Sequence, residues 1–291
     1  MTFTRRASLS LPWLLPTAAG ASPRLRVGSK NFTEQLIVGE LYAQTLEAWG
    51  ATVERRFNLG GTAIAQSALL SGEIDLYPEY TGTGLGVVLQ EPPEGTPDGV
   101  LAKVRAGYTA RFDLDWIAPS GIDNGNALLV TAATARRLNL ATLSDLAREA
   151  PKLTLAAGNE FADRADGLPG LRRVYGMQFR RFRQFAALGL RYAALAHGQA
   201  DVVNAYATDW QIAVGGYTSL HDDRGLWPAY QLCAVIRGAT LRDTPGIEAP
   251  LAAVSQRLDN AVMQRLNREV DQDGDEPREV TRRFLAARNP T

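Results

Sequence analysis

The sequence predicts an α/β protein folded as two lobes with a ligand cleft between them. Three observations carry this expectation. A strand–helix–strand–helix–strand run occupies 25–77, a second α/β block begins at 127, and the composition is that of an ordinary globular chain. The 291 residues are enough for one large domain or two smaller ones, and easily enough to bury a core.

The first block reads in order. Leu25-Arg26-Val27-Gly28 is a short strand ending in glycine. Ser29-Lys30-Asn31-Phe32-Thr33-Glu34-Gln35 opens a helix that Asn31 or Thr33 can cap, with Glu34 at its positive end. Leu36, Ile37, Leu41, Thr45 and Leu46 give that helix an apolar face, and Gly50 ends it. A second strand follows at 52–57. Leu59-Gly60-Gly61-Thr62 turns into a second helix with Ile64, Ala68 and Leu69 inward and Gly72 as its stop. Ile74-Asp75-Leu76-Tyr77 is the third strand. This spacing implies right-handed crossovers and a parallel sheet.

The pattern then restarts. Strands are expected at 127–130, 153–156 and 201–206, with helices at 143–149, 168–175 and 190–197. A last strand spans 232–236, followed by one long helix over 251–270 and a final one over 279–287. Open parallel sheets bind ligands at the carboxyl ends of their strands, so the cleft between the lobes is the place for a site.

Residues 1–21 read as an address. Arg5 and Arg6 precede an apolar stretch over 9–19, then Ala19-Gly20-Ala21. That order is a secretory signal peptide with cleavage after Ala21, favoured over a merely disordered start. The Arg-Arg pair hints weakly at twin-arginine export, and no cysteine near the cleavage point offers a lipid anchor. No other stretch reaches the length of a membrane helix, so the mature chain is expected in the periplasm without membrane insertion. Lys plus Arg and Asp plus Glu balance at 31 each, which disfavours general nucleic-acid binding. The single cysteine, Cys233, excludes an intramolecular disulfide and any multi-cysteine metal site.

The chemistry-bearing residues favour binding over catalysis. Tyr77, Tyr80, Thr81 and Thr83 cluster just past a strand end, in a segment that cannot easily bury both rings beneath it. Gly82, Gly84 and Gly86 have the wrong spacing for a dinucleotide loop and no Gly-Lys-Ser/Thr follows. Lys30 starts a helix, where backbone N–H groups favour an anion. Arg164 lies beyond a strand of the second block, with Asp163 and Asp166 as ordinary ion-pair alternatives. Tyr206 ends one strand and Tyr230 precedes another, and aromatic faces attract a quaternary ammonium. Rings with Lys30 and Arg164 suit a zwitterion bearing a methylated cation and a carboxylate. His221-Asp222-Asp223 is a solvated loop before it is a metal cluster, Cys233 lies in an apolar strand, and no Gly-x-Ser-x-Gly elbow occurs. No catalytic residue, metal or cofactor is assigned.

The sequence resembles the substrate-binding proteins of osmoprotectant ABC transporters, the glycine betaine, carnitine and choline class. The resemblance rests on 28–35, 59–62 and Gly72-Glu73-Ile74-Asp75-Leu76-Tyr77-Pro78-Glu79-Tyr80-Thr81-Gly82-Thr83. It continues through 143–147, 161–170, Ala207-Thr208-Asp209 and 220–223, covering nearly the whole mature chain. It implies a two-lobed type II periplasmic binding protein fold, with lobe one built from 22–115 and 216–291 and lobe two from 116–215. The chain would cross near Trp116 and return near Gly216. It also implies a monomer that hands its ligand to a permease. Tyr80, Tyr206 and Tyr230 match the aromatic box; Lys30, Thr83 and Arg164 match the anion side. One departure stands out. Family members commonly carry a tyrosine in Asn-Asn-Thr-Tyr-Ala-Leu, where this chain has Asp123-Asn124-Gly125-Asn126-Ala127-Leu128. Asn126 therefore makes one wall an amide, and Trp210 stands where a small residue is usual. A sensor or a binder of another small cation on the same fold, and a hydrolase hidden in the cleft, are the rival readings.

Overall fold

The computed structural model describes residues 22–92 and 95–287. The expected signal peptide, 1–21, lies outside them. The chain begins with strand β1 (Arg24–Gly28) and helix α1 (Thr33–Trp49). Neither Asn31 nor Thr33 caps α1. Phe32 is the extended residue before the first turn, and the Thr33 hydroxyl instead donates to Asp271 Oδ1 at 2.6 Å. Gly50 ends the helix at φ +107°, a conformation that suits glycine. Ile37, Leu41 and Leu46 are fully buried as the apolar pattern requires, yet so are Val38, Tyr42 and Ala43, because later helices cover the other side.

Strand β2 (Thr52–Arg56) and helix α2 (Thr62–Ser71) follow. Ala65, Ala68 and Leu69 face inward, while Ile64, expected inside, is 55% exposed and folds over Gly60. Strand β3 (Leu76–Tyr80) runs three residues further than expected. That extension settles both tyrosines: Tyr77 and Tyr80 point to opposite faces of the sheet and enter different cores. A short helix α3 (Thr81–Thr83) and a π-type turn over Gly84–Val88 lead to helix α4 (Pro97–Phe112), whose hydroxyl cap is Thr96. The sequence reading missed α4. Strand β4 (Leu114–Ile117) completes this stretch.

The second sheet is built from β5 (Asn126–Thr131), β6 (Thr154–Ala157), β7 (Arg181–Gln184), β8 (Val202–Tyr206) and β9 (Tyr217–Ser219). Between them run helices α5 (Ala132–Leu138), α6 (Leu143–Glu149), α7 (Leu168–Tyr175), α8 (Leu188–Ala196) and α9 (Trp210–Val214). Thr142 and Asp145 form a reciprocal capping box on α6. Strand β10 (Leu232–Arg237) then returns to the first sheet, followed by α10 (Gly238–Asp243), α11 (Glu248–Ser255), α12 (Asn260–Asp271) and α13 (Pro277–Ala286). The single helix expected over 251–270 is broken, because Asp259 caps a new start and Leu258 offers its carbonyl to Gly121 at 2.9 Å.

The sheet orders are β2-β1-β3-β10-β4 and β7-β6-β8-β5-β9. The β2-β1-β3 core is parallel as expected, but β10 is antiparallel to both neighbours and β5 is antiparallel to β8 and β9. Sheet membership also moves the crossings. Trp116 lies inside β4 of the first sheet and Gly216 precedes β9 of the second. The sheets put the crossings at 118–125 and 220–231, starting a few residues past the expected points near Trp116 and Gly216. Each sheet buries both faces in separate apolar clusters. Cys233 and Trp116 lie in one of them with Leu69, Ile74 and Leu85, and burial of each such aliphatic side chain contributes about 1.5–3 kcal/mol. At the carboxyl ends of β3 and β8, Tyr80 and Thr208 both reach Glu34 of α1.

Candidate ligand-binding site

On the first lobe, Lys30 and Glu79 form a buried ion pair, Nζ to Oε1 at 2.6 Å. Glu79 also accepts from the Tyr77 hydroxyl at 3.2 Å and from the Tyr80 backbone N–H at 2.8 Å. The Lys30 ammonium stands 4.9 Å from the Tyr80 ring centroid and 5.7 Å from that of Phe32. This lysine, expected to meet a ligand's anion, is held by the protein's own acid, and a face of Tyr80 already meets a cation. Thr83 is buried in α3.

Glu34 ties the lobes together. Its carboxylate accepts from Tyr80 Oη at 2.6 Å, Asn124 Nδ2 at 3.0 Å, Asn267 Nδ2 at 3.3 Å and the Thr208 hydroxyl. Thr208 follows β8 and Asn124 lies in the first crossing, so one buried acid joins both lobes and a connection between them. Burial pushes its pKa up, hydrogen bonds from Thr208, Tyr80, Asn267 and Asn124 pull it down, and the net shift is upward.

On the second lobe the centre is Asp166. Arg164 grips it at two points, Nε to Oδ1 at 2.8 Å and Nη2 to Oδ2 at 2.7 Å. Oδ2 also accepts from the Tyr230 hydroxyl and, at 3.5 Å, from Asn126 Nδ2. Asn126 Oδ1 accepts from Asn204 Nδ2 at 3.2 Å. Arg191 Nη1 donates to the Asn204 carbonyl at 3.0 Å and to its Oδ1 at 3.2 Å. Tyr206 pairs with Asn126 across the β5–β8 ladder, and the Arg191 guanidinium lies 5.7 Å from the Tyr206 ring centroid. Burial would lower the Arg164 pKa, but Asp166 raises it further above its ordinary value. Burial would raise Asp166, and Arg164 holds it below the usual carboxylate range instead. Burial, then the Asp166 charge, keeps the Tyr230 hydroxyl well above its ordinary pKa.

The structure thus gathers Asn126, Arg164 and Tyr230 in one polar chain with Tyr206 beside Asn126 on the next strand, and Lys30 with Tyr80 in another cluster. Tyr230 connects the two sides: it shares the first lobe's core with Tyr80, and a Cβ on Gly82 would strike its ring. Among the described residues no ring contact joins any two of Tyr80, Tyr206 and Tyr230. The Trp210 indole lies by Asp271 of α12. Two openings of about 330 and 320 Å³ flank Asn126, and both are bordered by Asn126, Ala127 and Ser219 but by none of the other six candidates.

Sequence reasoning did not find Glu34 as the inter-lobe tie, nor Asn204 or Arg191. For Arg191 a signal existed: one cation in the apolar run Leu188-Gly189-Leu190-Arg191-Tyr192-Ala193-Ala194-Leu195. Among the described residues no group of three or more His, Cys, Asp or Glu is placed to hold a metal ion. No helix among them is long and apolar enough to cross a membrane.

A two-lobed α/β chain with a polar and aromatic seam between its sheets is the architecture of type II periplasmic binding proteins. The chain belongs to the family described as the substrate binding domain of ABC-type glycine betaine transport system, whose model matches residues 23–287. It is 31% identical over 97% of its length to the carnitine transport binding protein OpuCC of Listeria monocytogenes, covering 92% of that protein. It is 33% identical over 97% of its length to a glycine-betaine-binding protein of Pseudomonas aeruginosa, covering 93% of it. Among solved structures, a glycine betaine/carnitine/choline ABC transporter protein matches with TM-score 0.76 and 29% identity, over 91% of this chain and 97% of that one.

Proposed function

We propose that this chain is an exported solute-binding protein that captures a small quaternary-ammonium compound between its lobes and delivers it to an ABC permease. The observation that carries the reading is the convergence of Tyr206, Tyr230, Asn126 and Arg164, from four separate stretches of chain, at the end of the second sheet where β8 stops and β5 starts. Rings supply cation–π attraction, and the polar groups fix orientation. The names of the relatives, carnitine and glycine betaine binders, support the same class. No bond is made or broken; lobe closure encloses the ligand and marks the loaded state. A monomer carrying one ligand is sufficient for this task.

A second reading concerns ligand identity. Asn126 is tied to Asp166, Tyr230 and Asn204, so it presents an amide network where similar proteins carry a ring. That arrangement favours a ligand with a hydrogen-bonding group beside its cation. A relative from Helicobacter pylori, 31% identical over 94% of this chain and 49% of that protein, is named for ergothioneine.

A thermal-shift screen over glycine betaine, choline, carnitine, proline betaine and sulfur betaines tests the function. At least one should raise the melting temperature saturably, and the ligand should be recovered unchanged. No shift with any of them, or recovery of a converted product, contradicts the proposal. Export rests on the order of residues in 1–21; mass spectrometry of periplasmic material should find a start at or near Ser22, and an intact Met1 there contradicts it.

A further inference from the structure

We infer that Glu34 is a positioning residue that pins the β8–α9 turn into the first lobe and makes that turn the pivot of lobe closure; the motion belongs to the function proposed above, and the pin can be tested without a ligand. The key residue is Thr208. It is 1% exposed, and each of its three hydrogen-bonding groups is directed outside the second lobe. Its hydroxyl donates to Glu34 Oε2 of α1, and its N–H donates to Asn124 Oδ1 of the first crossing at 3.2 Å. Its carbonyl accepts from Asn267 Nδ2 of α12 at 3.1 Å. The neighbours are held in the same way. The Ala207 carbonyl accepts from Gln264 Nε2 of α12 at 2.9 Å, and the Trp210 indole lies by Asp271 of the same helix. The second lobe is therefore joined to the first by two covalent crossings and a third, non-covalent leg.

The three legs meet in one place. The crossings are bonded to each other, the Tyr230 N–H to Asp123 Oδ1 at 2.7 Å and the Asn124 N–H to the Tyr230 carbonyl at 3.1 Å, and Thr208 holds the same Asn124. Atoms beside a covalent crossing cannot separate far, so this network lies at the axis of rotation between the lobes. Glu34 fixes it there. Its two oxygens take four donors from four stretches of chain, Tyr80, Asn124, Thr208 and Asn267, and withdrawing any of them leaves a buried acid short of a partner. The opposite side of the cleft is built differently. Gly61 follows β2, three strands from β10, and Glu160 follows β6, two strands from β5; at ordinary strand spacing that is about 10–14 Å from the crossings. There the Glu160 carboxylate lies against Gly61, where a Cβ would strike it. Among the described residues its ion pair is with Arg164 of its own lobe, at 4.0 Å. The cleft opens at this unbonded contact and turns about the bonded one. Tyr80, on the Glu34 carboxylate, and Tyr206, two residues before Thr208, thereby sit beside the axis and move less than Glu160 does.

Native-state hydrogen exchange on the full mature chain tests the pin. With no ligand present, the Thr208 N–H should exchange within about tenfold of the slowest β8 amides, because a pivot opens only with the whole fold. Faster exchange than that would mean that the network releases whenever the lobes part, and would overturn the pivot. Glu34→Gln turns an amide N–H toward groups that donate. It should speed exchange at Thr208 by about tenfold or more relative to β8. It should also enlarge the radius of gyration of the unliganded chain in X-ray scattering, and weaken glycine betaine and choline by the same factor. A lower melting temperature with Thr208 still as protected as β8 would assign Glu34 a merely structural role and overturn the inference. So would losses that differ between the two ligands. If Glu34→Gln does not fold, Thr208→Val, which keeps the N–H and the carbonyl but not the hydroxyl, should move exchange at that position and the radius in the same direction; no change in either overturns the pivot. If wild type binds neither ligand, the quaternary-ammonium reading fails separately, and exchange and scattering judge the pivot alone.

Discussion

On the first lobe Lys30 and Glu79 meet at 2.6 Å with side chains 5% and 0% exposed, while on the second Arg164 and Asp166 meet at 2.7 Å with 19% and 9% exposed. The first pair is sealed into the sheet end, its acid also bonded to Tyr77 and to the Tyr80 backbone. The second stands in the connection between β6 and α7, and Asp166 accepts hydrogen bonds from Tyr230 and Asn126. On the function proposed above, the difference separates two tasks: the first lobe's pair holds the fold together, and the second lobe's pair shapes what can bind.

Removing one member of the sealed pair should have the largest effect. Lys30→Met strands Glu79 and should cost about 3–5 kcal/mol in urea unfolding. Arg164→Met leaves Asp166 with Tyr230 and Asn126 as donors and some access to water, so its cost should be smaller. Equal costs would erase the distinction between the walls.

The next effect is a pH dependence. Burial raises Asp209 from 3.8 to about 7, so the folded chain holds this proton more tightly than the unfolded chain. Stability is then highest below the unfolded pKa, falls as pH rises toward about 7, and is flat above it. The drop should be on the order of 2–4 kcal/mol. Glu34, also raised by burial, adds to the same slope. Asp209→Asn can still accept from Tyr192 and the Tyr206 N–H, so it should flatten the curve measured by denaturation across that range.

Ligand-side changes come third. Tyr206→Ala should weaken binding by about 0.5–2 kcal/mol, with Tyr206→Phe better tolerated because it keeps the π face. Tyr230→Phe should be less neutral, since it removes the hydroxyl that donates to Asp166. Tyr80→Ala should lower stability as well as affinity, because that ring meets Lys30 and its hydroxyl meets Glu34. The smallest effect is a change in ligand ranking: Asn126→Tyr should improve glycine betaine relative to a ligand that hydrogen-bonds the amide. An unchanged ranking in calorimetric titrations would place Asn126 outside the pocket.

Much of the architecture was legible because local signals were strong. Gly50 and Gly72 mark helix stops, and the β1, α1, β2 and α2 pattern fits its apolar spacing. What escaped depended on partners distant in sequence. Asn31 and Thr33 looked like caps, yet Thr33 turned to Asp271, a residue of α12. Helix 251–270 looked continuous, yet the docking of Leu258 against Gly121 broke it. The crossings shifted because β4 pairs with β10, from the far end of the chain. In the site, residue types were readable and pairings were not. Asp166 was one of two possible partners for Arg164, and nothing local marked Glu79 as the partner of Lys30 or Glu34 as the meeting point of Tyr80, Asn124, Thr208 and Asn267.

The central claim is that the seam between the sheets holds a quaternary ammonium against tyrosine rings. Calorimetric titration of glycine betaine, choline and carnitine into wild type, Tyr206→Ala and Tyr230→Ala tests it most directly. The account predicts one ligand per chain for wild type, with each Ala variant weaker by about 0.5–2 kcal/mol or more while circular dichroism shows the fold intact. Absence of binding for all three ligands, or affinities unchanged in both folded variants, would contradict it.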